Sequence, residues 1–263
     1  MSQINRKKVL ILALYAGEIM LMNGAETYRV EDTIIRLCKS RGFSYVEAYV
    51  TPTGFFVSVD TKGEEQNEIL SYTKRIKSRG INLNKVAQVN DFSRKFVESN
   101  MSVEEGMKTL KEIHDLLPYP NYIHALFGGL ASAFFGLLFG ANLLEFFSAF
   151  FTSILVTYTL KTLTSIEFSP FLTHISGGVV AAVMAILLSS LHPLISTDKV
   201  IIGAIMVMVP GVAITNAVRD SIAGDLVSGL ARATEALIIA TSIAFGIGFI
   251  LKLWTFITGG TLL

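Results

Sequence analysis

Residues 200–236 read VIIGAIMVMVPGVAITNAVRDSIAGDLVSGLARATEA. The first ten are apolar or small, as a helix in lipid requires. Pro210 then removes a backbone donor and crowds the preceding turn, and Gly211 adds freedom to unwind. Five charged side chains follow by position 235: Arg219, Asp220, Asp225, Arg232 and Glu235. An apolar span interrupted by Pro-Gly and followed by spaced charges is not the pattern of a soluble core. Backbone groups freed at such a break are tolerated at membrane depth only beside protein or a water-filled cavity. A half-helix restarting beyond Gly211 would point a partly positive N-terminus into that cavity, as carboxylate sites in broken-helix transporters do.

The surroundings agree. The chain has 263 residues and 43 charged side chains, of which residues 119–263 carry only 11, while 85 of those 145 residues are apolar. A single uniform soluble domain, a disordered chain, a collagen and a coiled coil are all excluded. Crossing about 30 Å of hydrocarbon takes roughly 20 apolar residues. Five stretches qualify, at about 122–140, 143–160, 171–191, 200–218 and 230–251. Continuous runs such as 181–188 lack the alternation of barrel strands. The fold class that follows is an α-helical membrane protein. A soluble α+β domain (1–118) precedes a five-helix transmembrane domain (119–263) in the lipid bilayer.

The front half has its own pattern. Residues 7–23 form a helix with Val9, Leu12, Ala13, Ala16 and Met20 on one face, and Asn23-Gly24 ends it. The start, Arg6-Lys-Lys8 before an apolar run, also resembles a signal peptide, but Glu18 interrupts that run. A second helix covers 25–41. Strands are expected at 45–50 and 55–60 around the Thr51-Pro-Thr-Gly54 turn, with a third at 67–73. Helices at 84–99 and 102–116 follow, the latter with the capping box Ser102/Glu105. Glu64, Glu65 and Glu68 read as a solvated loop edge. Glu26, Arg29 and Glu31 either ion-pair on a helix surface or meet the membrane bundle.

Spacing groups the charges beyond Pro210. Thr215 and Arg219 are four apart, as are Asn216 and Asp220, so each pair shares a helix face. Asp225, Ser228, Arg232 and Glu235 recur at three, four and three, one polar stripe that turns toward a bundle interior or water. An ordinary solvated loop at 219–225 is the plainer alternative. Small residues at Gly128-Gly129, Gly177-Gly178 and Ala181-Ala182 allow close helix approach. A weak echo relates His124 and the glycines after it to His174 and its own.

Taken together, Pro210-Gly211, Thr215-Asn216-Ala217, Arg219-Asp220, Gly224-Asp225, Ser228-Gly229, Arg232 and Glu235-Ala236 resemble the signature of the threonine/serine exporter family. Gly24-Ala25-Glu26-Thr27, Arg29-Val30-Glu31, Pro52-Thr53-Gly54-Phe55 and the His174…Ser176-Gly177-Gly178 stretch are similar to that family's other motifs. Full-length members carry a second, smaller membrane unit. With five helices, this chain resembles the larger subunit of the split form, which works with a separate small membrane protein. The resemblance implies a hetero-oligomeric exporter in the cytoplasmic membrane, driven by the proton gradient or the membrane potential. Threonine and serine are the substrates of fused members and succinate that of split ones.

Roles follow as expectations. Pro210, Gly211, Thr215, Asn216, Arg219 and Arg232 are candidates for substrate binding, an Arg meeting a carboxylate in a two-donor fork. Asp225, Glu235 and His174 are candidates for proton coupling. Asp220 and Ser228 complete the polar cluster. No G-x-x-x-x-G-K-[ST] occurs, so no ATP site is expected. Cys38 is the single cysteine, which excludes an intrachain disulfide and a Cys-based zinc site. Nothing points to a cofactor, a metal or nucleic acid. The front half holds 17 of the 22 Lys and Arg. With it cytoplasmic, Lys161, Arg219 and Arg232 are inside and Lys199 and Lys252 outside, which puts the N-terminus inside and the C-terminus outside. Two other functions compete: a membrane-anchored sensor or assembly scaffold, and an intramembrane serine hydrolase using Ser228 and His174.

Overall fold

The computed structural model describes residues 3–60 and 69–259. They are mostly helical, with one small sheet. The chain divides into two compact units that do not follow sequence order. The first holds Met1–Leu117 together with Val212–Ala233; the second holds Pro118–Gly211 and Thr234–Leu263. The acidic set Glu64, Glu65 and Glu68 lies outside the described residues.

In the first unit, α1 (Gln3–Met22) and α2 (Thr27–Lys39) pack on a three-stranded antiparallel sheet in the order β1 (Val46–Thr51), β2 (Gly54–Asp60), β3 (Ile69–Arg75). Helices α3 (Leu83–Glu98) and α4 (Val103–Asp115) complete the layer. The expected elements are all present, with ends shifted by at most two residues, except that α1 starts four residues earlier than expected. The α1 face Val9, Leu12, Ala13, Ala16 and Met20 is fully buried. Leu10, Leu14 and Leu21 are buried too, so the covered face of α1 is broader than expected, while Lys7, Lys8 and Ile11 stay exposed. Ser102 and Glu105 form the anticipated capping box. Thr51 pairs with Gly54 across the hairpin turn, where a Cβ on Gly54 would sit 2.4 Å from the Lys74 carbonyl.

In the second unit, α5 (Asn121–Leu138), α6 (Leu143–Ser165) and α7 (Pro170–Leu191) are long and apolar enough to cross a membrane. So is α10 (Leu226–Ile257), which begins in the first unit. The stretch over 200–218 is divided, at the expected break around Pro210-Gly211. Helix α8 (Thr197–Ile205) tightens into a 3-10 turn at Met206–Met208, and α9 starts afresh at Gly211 and runs to Ile222. Pro210 sits in the gap because it can neither donate to the ladder nor tolerate the turn before it. Among the described residues, counting the broken pair as one span gives five spans, and not counting it gives four. The fifth expected helix is longer than 230–251 at both ends, so Lys252 lies within α10.

Small residues set helix approach here. A Cβ on Gly178 would lie 2.6 Å from the Ile243 carbonyl, and one on Gly246 2.3 Å from that of Ile175. Thus α7 and α10 touch backbone to backbone. Glu145 organises the other side. It is fully buried and closes a capping box with Asn142 at the start of α6. Its Oε1 also accepts from the Ser196 amide at 2.9 Å, and Lys199 Nζ lies 3.4 Å from its Oε2. One carboxylate therefore serves the N-termini of α6 and α8, both favourable places for negative charge. Replacing Glu145 with Ala takes the carboxylate acceptor from the Asn142 and Ser196 amides, at about 0.5–1.5 kcal/mol each. The expected outcome is a clear fall in the thermal midpoint of the detergent-purified protein. Lys199→Ala, at a partly exposed position, should cost less than about 1 kcal/mol.

Candidate functional site

The first unit brings together two stretches of chain nearly 200 residues apart in sequence. Four consecutive residues after α1, Gly24-Ala25-Glu26-Thr27, are each bonded by a polar side chain of α9 or of the first turns of α10. Asn216 Nδ2 donates to the Gly24 carbonyl at 2.9 Å. Arg232 Nη2 donates to the Ala25 carbonyl at 2.7 Å. Arg219 Nη1 pairs with Glu26 Oε1 at 2.5 Å. The Thr27 amide donates to Asp220 Oδ1 at 3.1 Å, and Thr27 Oγ1 donates to Asp225 Oδ2 at 2.8 Å. Asp220 Oδ2 accepts from Arg232 Nε at 3.0 Å.

Local rules explain how each group arrives. Gly24 has φ of +90°, a left-handed conformation that glycine adopts without strain and that turns the chain from α1 into α2. Its neighbours Met22 and Asn23 bond to the 80–82 segment through their carbonyls, which fixes the turn. Glu26 is the N-cap residue of α2, yet its side chain makes no cap bond. Asp220 supplies that bond from another helix.

The link between α9 and α10 is a Schellman closure. The Asp225 amide bonds the Asp220 carbonyl, the Gly224 amide bonds that of Ser221, and Gly224 has φ of +95°. The closure places Asp225 at the start of α10, where the Gly229 amide bonds its carbonyl. Gly229 lets the two helices meet: a Cβ there would lie 2.9 Å from the Ala217 carbonyl and 2.1 Å from Ser221 Oγ.

Burial separates the two arginines. Arg232 and Asp220 have side chains 8% and 0% exposed, whereas Arg219 is 54% exposed. Arg232 spends Nε and Nη2 on protein partners and acts as a buried tie. Arg219 reaches solvent while holding the buried Glu26 carboxylate. Burial works to raise the Glu26 carboxyl pKa, but its own backbone hydrogen bond and the Arg219 and Arg29 guanidiniums outweigh it, and the net direction is down. Arg29 Nε lies 3.5 Å from Glu26 Oε2. Ser228 is fully buried, its hydroxyl directed at the Val50 carbonyl at 3.4 Å. The Val50 amide donates to Glu31 Oε1 at 2.8 Å.

Of the residues singled out from sequence, Asn216, Arg219, Asp220, Asp225, Ser228 and Arg232 thus join one network. Thr215 shares the exposed face of Arg219 on α9. Pro210, Gly211, His174 and Glu235 belong to the second unit. There His174 is half-buried with Nδ1 2.7 Å from the Pro170 carbonyl. The stretch 219–225 is a helix end and a structured link, not a loose solvated loop. The network also takes in Glu26, Thr27 and Glu31, none of them among the candidates for substrate binding or proton coupling. Among the described residues no group of His, Cys, Asp or Glu could hold a metal ion.

Residues 11–254 match the family described as "Putative threonine/serine exporter". The chain belongs to that family. It is 25% identical over 250 residues to the "Probable succinate transporter subunit YjjP" of Klebsiella aerogenes, covering 95% of both chains. The Escherichia coli K12 protein of the same name is also 25% identical, over 95% of this chain and 96% of its own. The "Probable threonine/serine exporter" of Mycobacterium tuberculosis is 21% identical, and there the alignment spans 46% of the longer relative. No solved structure matches the chain significantly. These are names of transporters, not enzymes, and with several membrane-length helices the exporter-family chain is a membrane protein.

Two outcomes test the geometry. Asp220→Ala strands the buried Arg232 and frees the Thr27 amide, and breaking such a pair costs about 3–5 kcal/mol. Arg219→Ala, at an exposed position, should cost less than about 1 kcal/mol. Thermal unfolding of the two variants in detergent compares them directly. The Glu26 contribution has the sign of a depressed carboxyl. It is present at neutral pH and lost as pH falls from the ordinary value of 4.5 through the depressed one, so a Glu26→Gln variant should approach wild-type stability only in acid.

Proposed function

We propose that this chain is the larger subunit of a two-component secondary exporter in the cytoplasmic membrane, moving a small carboxylate-bearing metabolite outward together with a small membrane protein. Support comes from the near full-length similarity to proteins named as succinate transporter subunits and from the exporter family itself. In this reading residues 1–118 are cytoplasmic and 119–263 form the membrane domain, with the C-terminus outside. Energy comes from the proton gradient or the membrane potential.

The observation that carries the reading is the Arg219–Glu26 pair. Arg219 is a solvent-reaching guanidinium on the same helix face as Thr215, and its partner is a carboxylate that a substrate carboxylate can replace. A substrate arriving there meets a fork-shaped donor and a hydroxyl, which suits succinate, threonine or serine alike. Asn216 and Arg232 become available when their bonds to the 24 and 25 carbonyls open. The break at Pro210-Gly211 lets α9 move relative to its own preceding turn. Asp225, Glu235 and His174 are the coupling candidates, with Asp220 and Ser228 holding the network.

The test is efflux. Cells loaded with threonine, serine or succinate would express the chain alone and with its small partner. Export is expected only with both. Arg219→Ala should lower it at least about tenfold, the equivalent of some 1.4 kcal/mol of substrate interaction, at unchanged membrane abundance. Undiminished export by that variant would remove Arg219 from the substrate site.

A further inference from the structure

The network contains four carboxylates, and they are not equivalent. Glu26 is matched by Arg219 and Arg29, and Asp220 by Arg232. The bonds of Asp225 and Glu31 are to neutral donors, the Thr27 hydroxyl and the Val50 amide. Four acids therefore meet three guanidiniums, and the surplus charge falls on this pair.

Geometry joins the two by separate routes. Thr27 and Glu31 are four apart on α2 and share a face, so the Asp225 carboxylate held by Thr27 overlies the face that carries Glu31. Ser228 lies three residues after Asp225 on α10, and its hydroxyl is directed at the carbonyl of Val50, the residue whose amide Glu31 accepts. Asp225 and Glu31 are thus tied to one turn of α2 and, through Ser228 and Val50, to one strand end. Two carboxylates sharing a site do not both ionise easily.

We propose that Glu31 takes up and releases the coupling proton of this exporter, beside Asp225. The inference rests on the export reading above and adds to it a residue outside the coupling candidates named there. Burial pushes the Glu31 carboxyl above the usual carboxylate range; the Val50 amide pulls it back, and Asp225, Asp220 and Glu47 push it further up. The charges facing it are accounted for by element: Asp220 on α9, Asp225 and Arg232 on α10, Glu47 on β1. On α1, Glu18 is paired with Lys74; on α2, Arg36 pairs with Asp32 and donates to Ser93 of α3. The charged residues of α3 nearest that contact, Asp91, Arg94 and Lys95, are exposed. Protonation adds one O–H to Glu31 and removes one negative charge. The other oxygen can still accept from Val50, so the fold need not break when the charge changes.

The discriminating variant is Glu31→Gln, neutral and able to keep the Val50 bond, assayed with the partner in proteoliposomes over a series of imposed pH values. The wild-type rate should change by up to about tenfold per pH unit across the titration, and the Gln variant by less than about twofold. Glu31→Asp should restore the dependence with a displaced midpoint. A Gln variant with the wild-type pH profile overturns the proposal. A wild-type complex that moves none of the three metabolites overturns the exporter reading and, with it, the coupling role.

A second measurement is independent of transport. A carboxyl with a raised folded pKa destabilises the fold as pH rises through its unfolded value toward the folded one. Wild-type stability should therefore fall relative to Glu31→Gln from about pH 4.5 upward. A difference that stays flat with pH also overturns the proposal.

Discussion

Asp220 has no exposed surface, and a buried charge of that kind is tolerated only when it is paired and hydrogen-bonded. One oxygen takes the first amide of α2 and the other takes the Arg232 side chain. The cap that α2 would draw from its own N-cap residue is unavailable, because Glu26 is turned to Arg219. The two helices thus exchange services. Helix α9 caps α2 through Asp220, and the N-cap acid of α2 neutralises Arg219 of α9. Neither segment is electrically complete alone. That accounts for Val212–Ala233 clustering with the front residues rather than with the apolar helices that flank it in sequence.

The second unit repeats the device. Glu145 caps its own helix and also serves the amide of Ser196, the N-cap residue of α8, whose own side chain makes no cap bond. In both units a buried acid at a helix start fixes two chain segments, each contact one hydrogen bond deep. Such joints differ from apolar packing in how they yield. An interdigitated core resists small displacements. A charge-assisted pair instead has a well-defined alternative, exchange for another anion or for a proton, which suits elements that must occupy two arrangements.

Much of this could be read from the sequence, for reasons that are local. The Thr51–Gly54 turn, the Ser102/Glu105 box and the Pro210 break each depend on residues within about five positions of one another, and the α1 face on a repeat along one helix. What escaped was non-local. Glu26 and Thr27 carry the same side chains whether they cap a surface helix or bind groups 193 and 198 positions away, and nothing in their spacing separates the cases. Glu145 is a different kind of miss. Asn142-x-x-Glu145 has the spacing of a capping box, as Ser102-x-x-Glu105 does, but Asn142 read simply as a break between two apolar runs. The helical spacing of 225, 228 and 232 points to the start of α10, but those polar residues keep the apolar span itself from beginning before 230.

The polar stripe shows why that happened and what it implies. Asp225, Ser228 and Arg232 recur at helical spacing and face Thr27, Val50, Asp220 and Ala25, none of them lipid. The same stretch presents Leu226, Val227 and Leu230 outward. Helix α10 is therefore two-sided at its start and becomes apolar further along, a change of environment written into one continuous helix. Motion of its first turns relative to residues 24–27 would break at once a guanidinium–carbonyl bond and a hydroxyl–carboxylate bond. Neither donor could be left dry and unpaired without a cost of about 1–3 kcal/mol. Any rearrangement that separates these segments must then supply replacement acceptors, namely water or another anion, and the network's own chemistry limits the choice to groups of that kind.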